Sequence, residues 1–307
     1  MKPYLALKHA TGSDQPVFFS ISEKKIIDDD RGVGELTNNN CWATPQGWIL
    51  VRDGLSSTTY LLDPSNRDRK ISLPHLPEEN LTCRHTAPVC SPNPAQHTSC
   101  VVLLVETDLP VIWYCRINDE NWTRHEYDIG TLNLCGGCTE KLVISPITSC
   151  RGKFYFNGGG FKELGVLEFC PAPVFSFITI RDAITGHPGL RKVIKVESEE
   201  ELYMVSLVSS YDLNVVHRFS VHKMDFGTEE WREVHDIGDR TFLLSSWYFG
   251  ASRSAEECGL EPNCLYMVYA GVKRLMTFNV RDGTMTVQDL DEVPASKQAL
   301  WILPTHP

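Results

Sequence analysis

Short strands from end to end, six hairpins at a near-regular spacing and an unpartnered apolar strand near the C-terminus predict an all-β chain. The architecture they point to is a β-propeller of six four-stranded blades, closed by that last strand. Segments such as GWILVRD (47–53), CVVLLVE (100–106), VIWYCRI (111–117), LYMVSLV (202–208) and RLMTFNV (274–280) are rich in β-branched and aromatic residues. Gly, Pro, Asn and Asp bound most of them, as turn chemistry requires. Within VIWYCRI, alternation puts Val111, Trp113, Cys115 and Ile117 on one strand face. No window holds a helical period beyond a turn or two, residues 195–202 coming nearest.

The hairpins centre near Glu23, Pro64, Asp119, Pro171, Gly227 and Asp282, so the gaps run 41, 55, 52, 56 and 55 residues. Four-stranded units of about fifty residues explain that period, whereas a sandwich does not. Seven blades are the alternative, with an irregular blade in 75–100 or 180–200. Asp282-Gly283 predicts a two-residue type I′ hairpin, because Gly accepts the positive φ that turn demands. A shorter self-similarity supports repetition. NWTRHEYDIG (121–130) places Trp122 ahead of Asp128-Ile129-Gly130, and EEWREVHDIG (229–238) places Trp231 ahead of Asp236-Ile237-Gly238. These tryptophans stand 109 residues apart, which suits two blades. The first hairpin lies so near the N-terminus that the opening blade has room for about three strands. QALWILP (298–304) has no hairpin partner and supplies the fourth, which removes an exposed sheet edge. Residues 1–307 thus read as a single propeller domain.

Composition narrows the function. The 307 residues are 42% hydrophobic and 22% charged, with a formal charge of −10, so the chain is globular and acidic. Acidity argues against nucleic acid and anionic membrane as partners. No apolar run approaches the length of a membrane span, and Tyr4 to Leu7 is too short for the apolar region of a signal peptide. Eleven cysteines at irregular spacing then read as free thiols of a cytoplasmic or nuclear protein. CGGC, at Cys135 and Cys138, lacks a second ligand pair for zinc and a following helix for redox work. It reads as a Gly-Gly turn with incidental thiols. No metal or cofactor is expected.

The same segments carry a resemblance. GWILVRD with STTYLLDPSNRDRKISLPHLP, then HKMDFGTEEWREVHDIGDRTFLL, then CGLEPNCLYMVY resemble the plant F-box-associated β-propeller family of the KIB type, long labelled a domain of unknown function (295). The matching elements include Trp48, Leu61-Leu62-Asp63-Pro64, Leu73-Pro74, Trp231, Gly238-Asp239, Phe242-Leu243 and Asn263-Cys264-Leu265-Tyr266, over about residues 40–285. Asp63 stands where Asn is common, and Ile237 where Leu is usual. The resemblance implies a substrate-recognition surface of a ubiquitin-ligase complex. Family members usually open on a helical F-box, but the first forty residues here read as strands and turns, so the chain is either a propeller-only member or a fragment. The expectation is therefore a protein client bound through one propeller rim, with an Skp-type adaptor reached indirectly or not at all. A propeller-only decoy that sequesters the client is the alternative.

Catalysis finds little support among the residues. Asp28-Asp29-Asp30 would alternate between strand faces and reads as a solvated turn. FGTEEW copies only the tail of a sialidase box, and FNGGGFKELG lacks the spacing of a phosphate loop. His217 and His222 fall on opposite sides of a strand. A propeller hydrolase is the remote alternative. For partner binding, Trp247, Tyr248 and Phe249 follow an apolar strand and are the candidates, with packing between blades as the bland reading. Trp122 and Trp231 are assigned to the core between blades.

Overall fold

A computed structural model describes residues 2–9, 16–27, 33–37, 39–76, 85–86, 100–106, 108–133, 138–158, 162–181, 190–209, 216–245, 249–269, 273–290 and 296–305. They form six blades. Blade 1 joins β1 (Tyr4–His9), β2 (Val17–Ser20) and β3 (Lys25–Ile27) to β27 (Ser296–Ile302). A short helix, α1 (Val33–Thr37), leads to blade 2, made of β4 (Asn40–Ala43), β5 (Ile49–Arg52), β6 (Thr59–Asp63) and β7 (Asn66–Leu73). Blade 3 contains β8 (His85–Thr86), β9 (Val101–Val105), β10 (Val111–Arg116) and β11 (Thr123–Glu126). A separate hairpin, β12 (Thr131–Asn133) with β13 (Thr139–Lys141), precedes blade 4. That blade runs β14 (Ile147–Cys150), β15 (Lys153–Asn157), β16 (Glu163–Phe169) and β17 (Pro173–Thr179). Blade 5 runs β18 (Leu190–Ser198), β19 (Glu201–Ser209), β20 (Val216–Asp225) and β21 (Glu230–Val234). Blade 6 is built from β22 (Arg240–Ser245), β23 (Gly250–Ser254), α2 (Ala255–Cys258), β24 (Cys264–Tyr269), β25 (Arg274–Asn279) and β26 (Met285–Asp289).

All six anticipated hairpins are the outer two strands of a blade. The seven-blade alternative is not realised. Near residue 85 the described strand is β8 of blade 3, and residues 190–198 are the first strand of blade 5. Closure takes the anticipated route: β27 pairs antiparallel with β1, Leu5 opposite Trp301 and Tyr4 opposite Ile302.

Hydrophobic burial is radial. Each seam between neighbouring blades holds its own apolar cluster, so six clusters make the ring. Period-2 alternation explains how one strand serves two seams. Val111, Trp113 and Cys115 of β10 face blade 2, with Ile117 packed beside them, while Ile112 and Tyr114 face blade 4. Strands buried on both faces need no polar alternation, which is why VVLLV of β9 is apolar throughout.

Residues 195–202, the nearest approach to a helical period, are β18, a turn and β19, in keeping with the all-β reading. Glu199 and Glu200 both have positive φ (54° and 61°), the two-residue type I′ geometry that matches strand twist. The Asp282-Gly283 hairpin is not type I′, because Gly283 (φ 72°) has positive φ and Asp282 does not. Its loop is longer, closed by hydrogen bonds from Gly283 N to Asn279 O and from Asn279 N to Thr284 O. Blade 6 has five strands rather than four. β22 inserts between β23 and β24 and pairs with β24 in parallel, Phe242 opposite Leu265. A parallel neighbour needs a crossover, and the hairpin to β23 followed by α2 supplies it. Ser254 caps α2 by accepting from Glu257 N, and Gly259 ends it in the left-handed region.

Glycine is required at position 47. Its φ is +95°, and a Cβ there would collide with the carbonyl of Pro304, where the C-terminal segment crosses blade 2. Trp301 is fully buried in the seam between blades 6 and 1, and its Nε1 donates to Leu244 O at 2.9 Å. Trp301→Ala is expected to lose about 3–5 kcal/mol, and deletion of 298–307 to destabilise the whole ring. Thermal melts check both. An unchanged melting temperature would refute closure through this strand.

Candidate functional site

Among the described residues the seam between blades 4 and 5 holds the smallest apolar cluster, seven buried residues that include Tyr155, Leu164, Leu202 and Met224, against fifteen between blades 5 and 6. Polar groups do part of the joining instead. Arg151, in the β14–β15 turn, donates from Nε to Glu200 O at 2.6 Å and pairs with Glu201 at 3.1 Å. Cys150 Sγ also donates to Glu200 O. Turn conformation sets up this contact. Arg151 (φ 50°), Glu199 and Glu200 all hold left-handed backbone, which non-glycine residues adopt at a cost and which persists where neighbours over-determine it.

Beside those turns opens a cleft of about 450 Å³. Phe226 and Met224 provide apolar wall, and Arg151, Lys223 and Arg232 bring three cations to meet the carboxylates of Glu201 and Asp225. Arg232 pairs with Asp225 at 2.8 Å, Lys223 with Glu201 at 3.5 Å, and the Arg151 guanidinium lies 5.4 Å from the Phe226 ring centroid. Hydrogen bonds from Thr228 N and Gly227 N hold the Asp225 carboxyl below its ordinary range, so it stays ionised. Aromatic wall with salt-bridged fringe suits a peptide side chain. The FGTEEW segment, whose tail resembled a hydrolase box, serves here as the turn that builds one lip.

Deeper in the same seam lies Lys195 of β18, which is 1% exposed. Its Nζ sits 5.1 Å from the Trp231 ring centroid, beside a cavity of about 10 Å³ whose lining includes Asn157 and Glu163. That volume holds about one water. Burial pushes the ammonium pKa down to about 7. In the sequence this lysine passes for the polar side of a half-exposed strand, because nothing local says that both faces of β18 are covered.

The signature residues fall at structural joints. In both DIG copies the Asp carboxylate accepts from the Gly N–H two residues on, Asp128–Gly130 at 3.0 Å and Asp236–Gly238 at 2.7 Å. Both glycines have positive φ (106° and 69°), turning the chain out of an outer strand. Asn263, at φ 60°, accepts from Ile237 N at 2.6 Å and donates to Asp236 at 2.8 Å, and Arg281 pairs with Asp236 at 2.7 Å. These bonds from Gly238, Arg281 and Asn263 hold the Asp236 carboxyl down at about 2. Asp239 offers its carbonyl to Ala255 N at the start of α2. Cys264 is buried, and the Tyr266 hydroxyl accepts from Glu261 N. Asp63, beside Pro64 and in place of the usual Asn, accepts from Arg69 at 3.4 Å and from the Thr305 hydroxyl at 3.1 Å. Trp48 is buried between blades 2 and 3 under the Arg69 guanidinium. Trp122 lies in the same seam and donates to Pro74 O at 2.8 Å. Trp231 is half-buried between blades 4 and 5.

Of the aromatic partner candidates, Trp247 and Tyr248 lie outside the described residues, and Phe249 packs against the core between blades 6 and 1. Asp28-Asp29-Asp30 and Cys135 are also outside the described residues, while Cys138 is exposed just before β13. Burial raises the thiols of Cys150 to about 12 and of Cys258 and Cys264 to about 11, so none is a thiolate near neutrality. Among the described residues no three His, Cys, Asp or Glu gather closely enough to hold a metal, and no helix is long and apolar enough to cross a membrane.

Six blades, one apolar cluster per seam and a strand-paired closure define a β-propeller. The sequence model of the KIB1-4 beta-propeller matches residues 18–290, and the chain belongs to that family. Among curated proteins none matches. Solved structures with a similar course include a functionally unknown protein from Desulfotomaculum acetoxidans DSM 771, at 10% identity and TM-score 0.45 over 99% of this chain and 100% of that one. A protein from Lactobacillus plantarum gives 10%, 0.44, 98% and 99%. Virginiamycin B lyase from Staphylococcus aureus gives 8%, 0.37, 90% and 74%. At such scores these likenesses bear on no site and no activity.

Two substitutions probe the joints. Asn263→Ala strands the buried Ile237 N–H and keeps the left-handed strain, so a loss of about 2–4 kcal/mol is expected in urea unfolding. For Lys195, the folded pKa (about 7) lies below the unfolded value of 10.5. Between these the unfolded chain binds the extra proton, so this residue's contribution to stability rises with pH across that window. Lys195→Met is expected to stabilise by about 2–4 kcal/mol at pH 6, with the gain fading toward pH 10. Paired melts of both proteins at pH 6 and 9.5 read the difference.

Proposed function

We propose that this propeller is a non-catalytic protein-interaction module that recognises a protein client, as the substrate-recognition part of a ubiquitin-ligase assembly does. The observation that carries the reading is the cleft between blades 4 and 5. It is open, walled by Phe226 and fringed by salt-bridged arginine and lysine in a chain of net charge −10. Such a site recognises an acidic or aromatic peptide segment. Its ionised Asp225 is paired with Arg232 and tied to the Gly227 and Thr228 N–H groups of its own turn, an arrangement suited to binding.

Residues 4–9 and 17–27 supply three strands of blade 1, and β1 is paired on both sides, by β2 and β27. These segments have no helical surface to offer an adaptor. The propeller itself then reaches a ligase only through a further segment or subunit, and on its own competes for the client as a decoy.

Two measurements test this. Lys223→Glu with Arg232→Glu is expected to abolish client capture from native tissue while leaving the melting temperature nearly unchanged. Capture that persists undiminished would place recognition elsewhere on the ring. Calorimetric titration of the purified 307-residue chain with an Skp-type adaptor is expected to show no binding; micromolar affinity would overturn the indirect route.

A further inference from the structure

The outer strand of a blade is a sheet edge, with backbone donors and acceptors turned toward solvent. Natural sheets guard such edges with charge. Five of the six outer strands here do so: Lys25 in β3, Asp68 to Lys70 in β7, Arg124 and Glu126 in β11, Glu230, Arg232 and Glu233 in β21, and Asp289 in β26. β17 does not. Its seven residues, Pro173-Val174-Phe175-Ser176-Phe177-Ile178-Thr179, carry no charge. They pair with β16 along their whole length, and among the described residues β17 has no second strand beside it. Val174 is 49% exposed and Phe177 41%.

The order of side chains says what fits this edge. About Ser176 the strand is nearly symmetric, with Phe175 matched by Phe177 and Val174 by Ile178. An antiparallel copy with Ser176 opposite Ser176 sets Phe175 against the partner's Phe177 on one face, and Val174 against the partner's Ile178 on the other. Aromatic meets aromatic and aliphatic meets aliphatic, which are favourable cross-strand pairs, with the smallest side chain on the axis. The aromatic face is already held in place. Phe175 packs 5.3 Å from Tyr127 and stacks on His125, and Phe177 meets Phe156 edge-on at 6.0 Å. Two acidic molecules also meet here without opposing charges within the strand.

We propose that β17 is a self-association edge, through which a second copy of this chain pairs antiparallel about a two-fold axis at Ser176 and joins two blades into one eight-stranded sheet. A two-fold contact of this kind closes on itself and gives a dimer rather than a fibre. The contact is a single strand, so the dimer is weak and dissociates on dilution.

Sedimentation velocity across a dilution series, starting at about 100 µM for so small an interface, tests the proposal. The wild-type chain is expected to shift from dimer toward monomer on dilution. Ser176→Lys and Ser176→Glu, at an exposed position, are each expected to be monomeric with unchanged melting temperature, because like charges then face across the axis. Mixing them in equal amounts is expected to restore the dimer. Ser176→Cys is expected to give a disulfide-linked dimer on mild oxidation, beyond the level of the wild-type chain with its exposed Cys138 and Cys170. A wild-type monomer throughout, or a dimer that survives both charge variants, overturns the assignment. So does a monomeric wild type that captures a client through this edge and loses it in Ser176→Lys, which would give the edge to the client.

Discussion

Every blade here is a sheet with two apolar faces, and none is soluble unless a neighbour covers each of them. That requirement makes ring closure the condition on which the rest of the molecule depends. VVLLV of β9 faces blade 2 with Val102 and Leu104 and blade 4 with Val101, Leu103 and Val105. Remove either neighbour and a strip of branched side chains meets water. A linear array of blades would leave two such faces bare at its ends, so β27 returns to pair with β1. Trp301 then does double service, aligning that pairing opposite Leu5 and sealing the seam to blade 6 with its bond to Leu244 O.

Passage from one blade to the next is the hard step for the backbone, because the chain must leave an outer strand and return to the axis. The residues that recur in the sequence act at such joints. Each Asp-Ile-Gly buries or half-buries its isoleucine in a seam, satisfies the glycine N–H with the aspartate and uses positive φ to turn. Asn263 extends this after blade 5 by tying that turn to the β24 entrance. A family signature made of such positions speaks of architecture. It is silent about what the ring binds.

The seam between blades 4 and 5 shows what is gained by incomplete packing. With fewer apolar residues to hold it, the seam is fastened by Arg151 on Glu200 and Glu201, keeps Lys195 buried against Trp231, and leaves its turn end open as a cleft. A buried ammonium with a π face as its neighbour is expensive relative to a hydrophobic isostere. Blade 4 also carries the uncharged outer strand. The thin seam, the buried lysine and the uncharged outer strand thus all adjoin blade 4.

The linear sequence by itself determined the all-β class, the six outer hairpins and the closing strand. These follow from local physics: side-chain period, turn residues at regular intervals, and one apolar strand without a neighbour in sequence. The same period put Val111, Trp113 and Cys115 in one seam. Tertiary structure alone decided the rest. The β22 insertion could not be read, because a parallel partner is specified by a crossover and not by any adjacent turn. Glu199 and Glu200 gave no sign of left-handed backbone, since the bond that Glu200 O accepts from Arg151 and the one that Glu200 N donates to Glu197, not residue preference, hold them there. Lys195 looked like surface, and the cleft drew its residues from five strands and turns across two blades. Which faces are covered, and which gaps remain, depends on how sheets meet, and that is settled only when the ring closes.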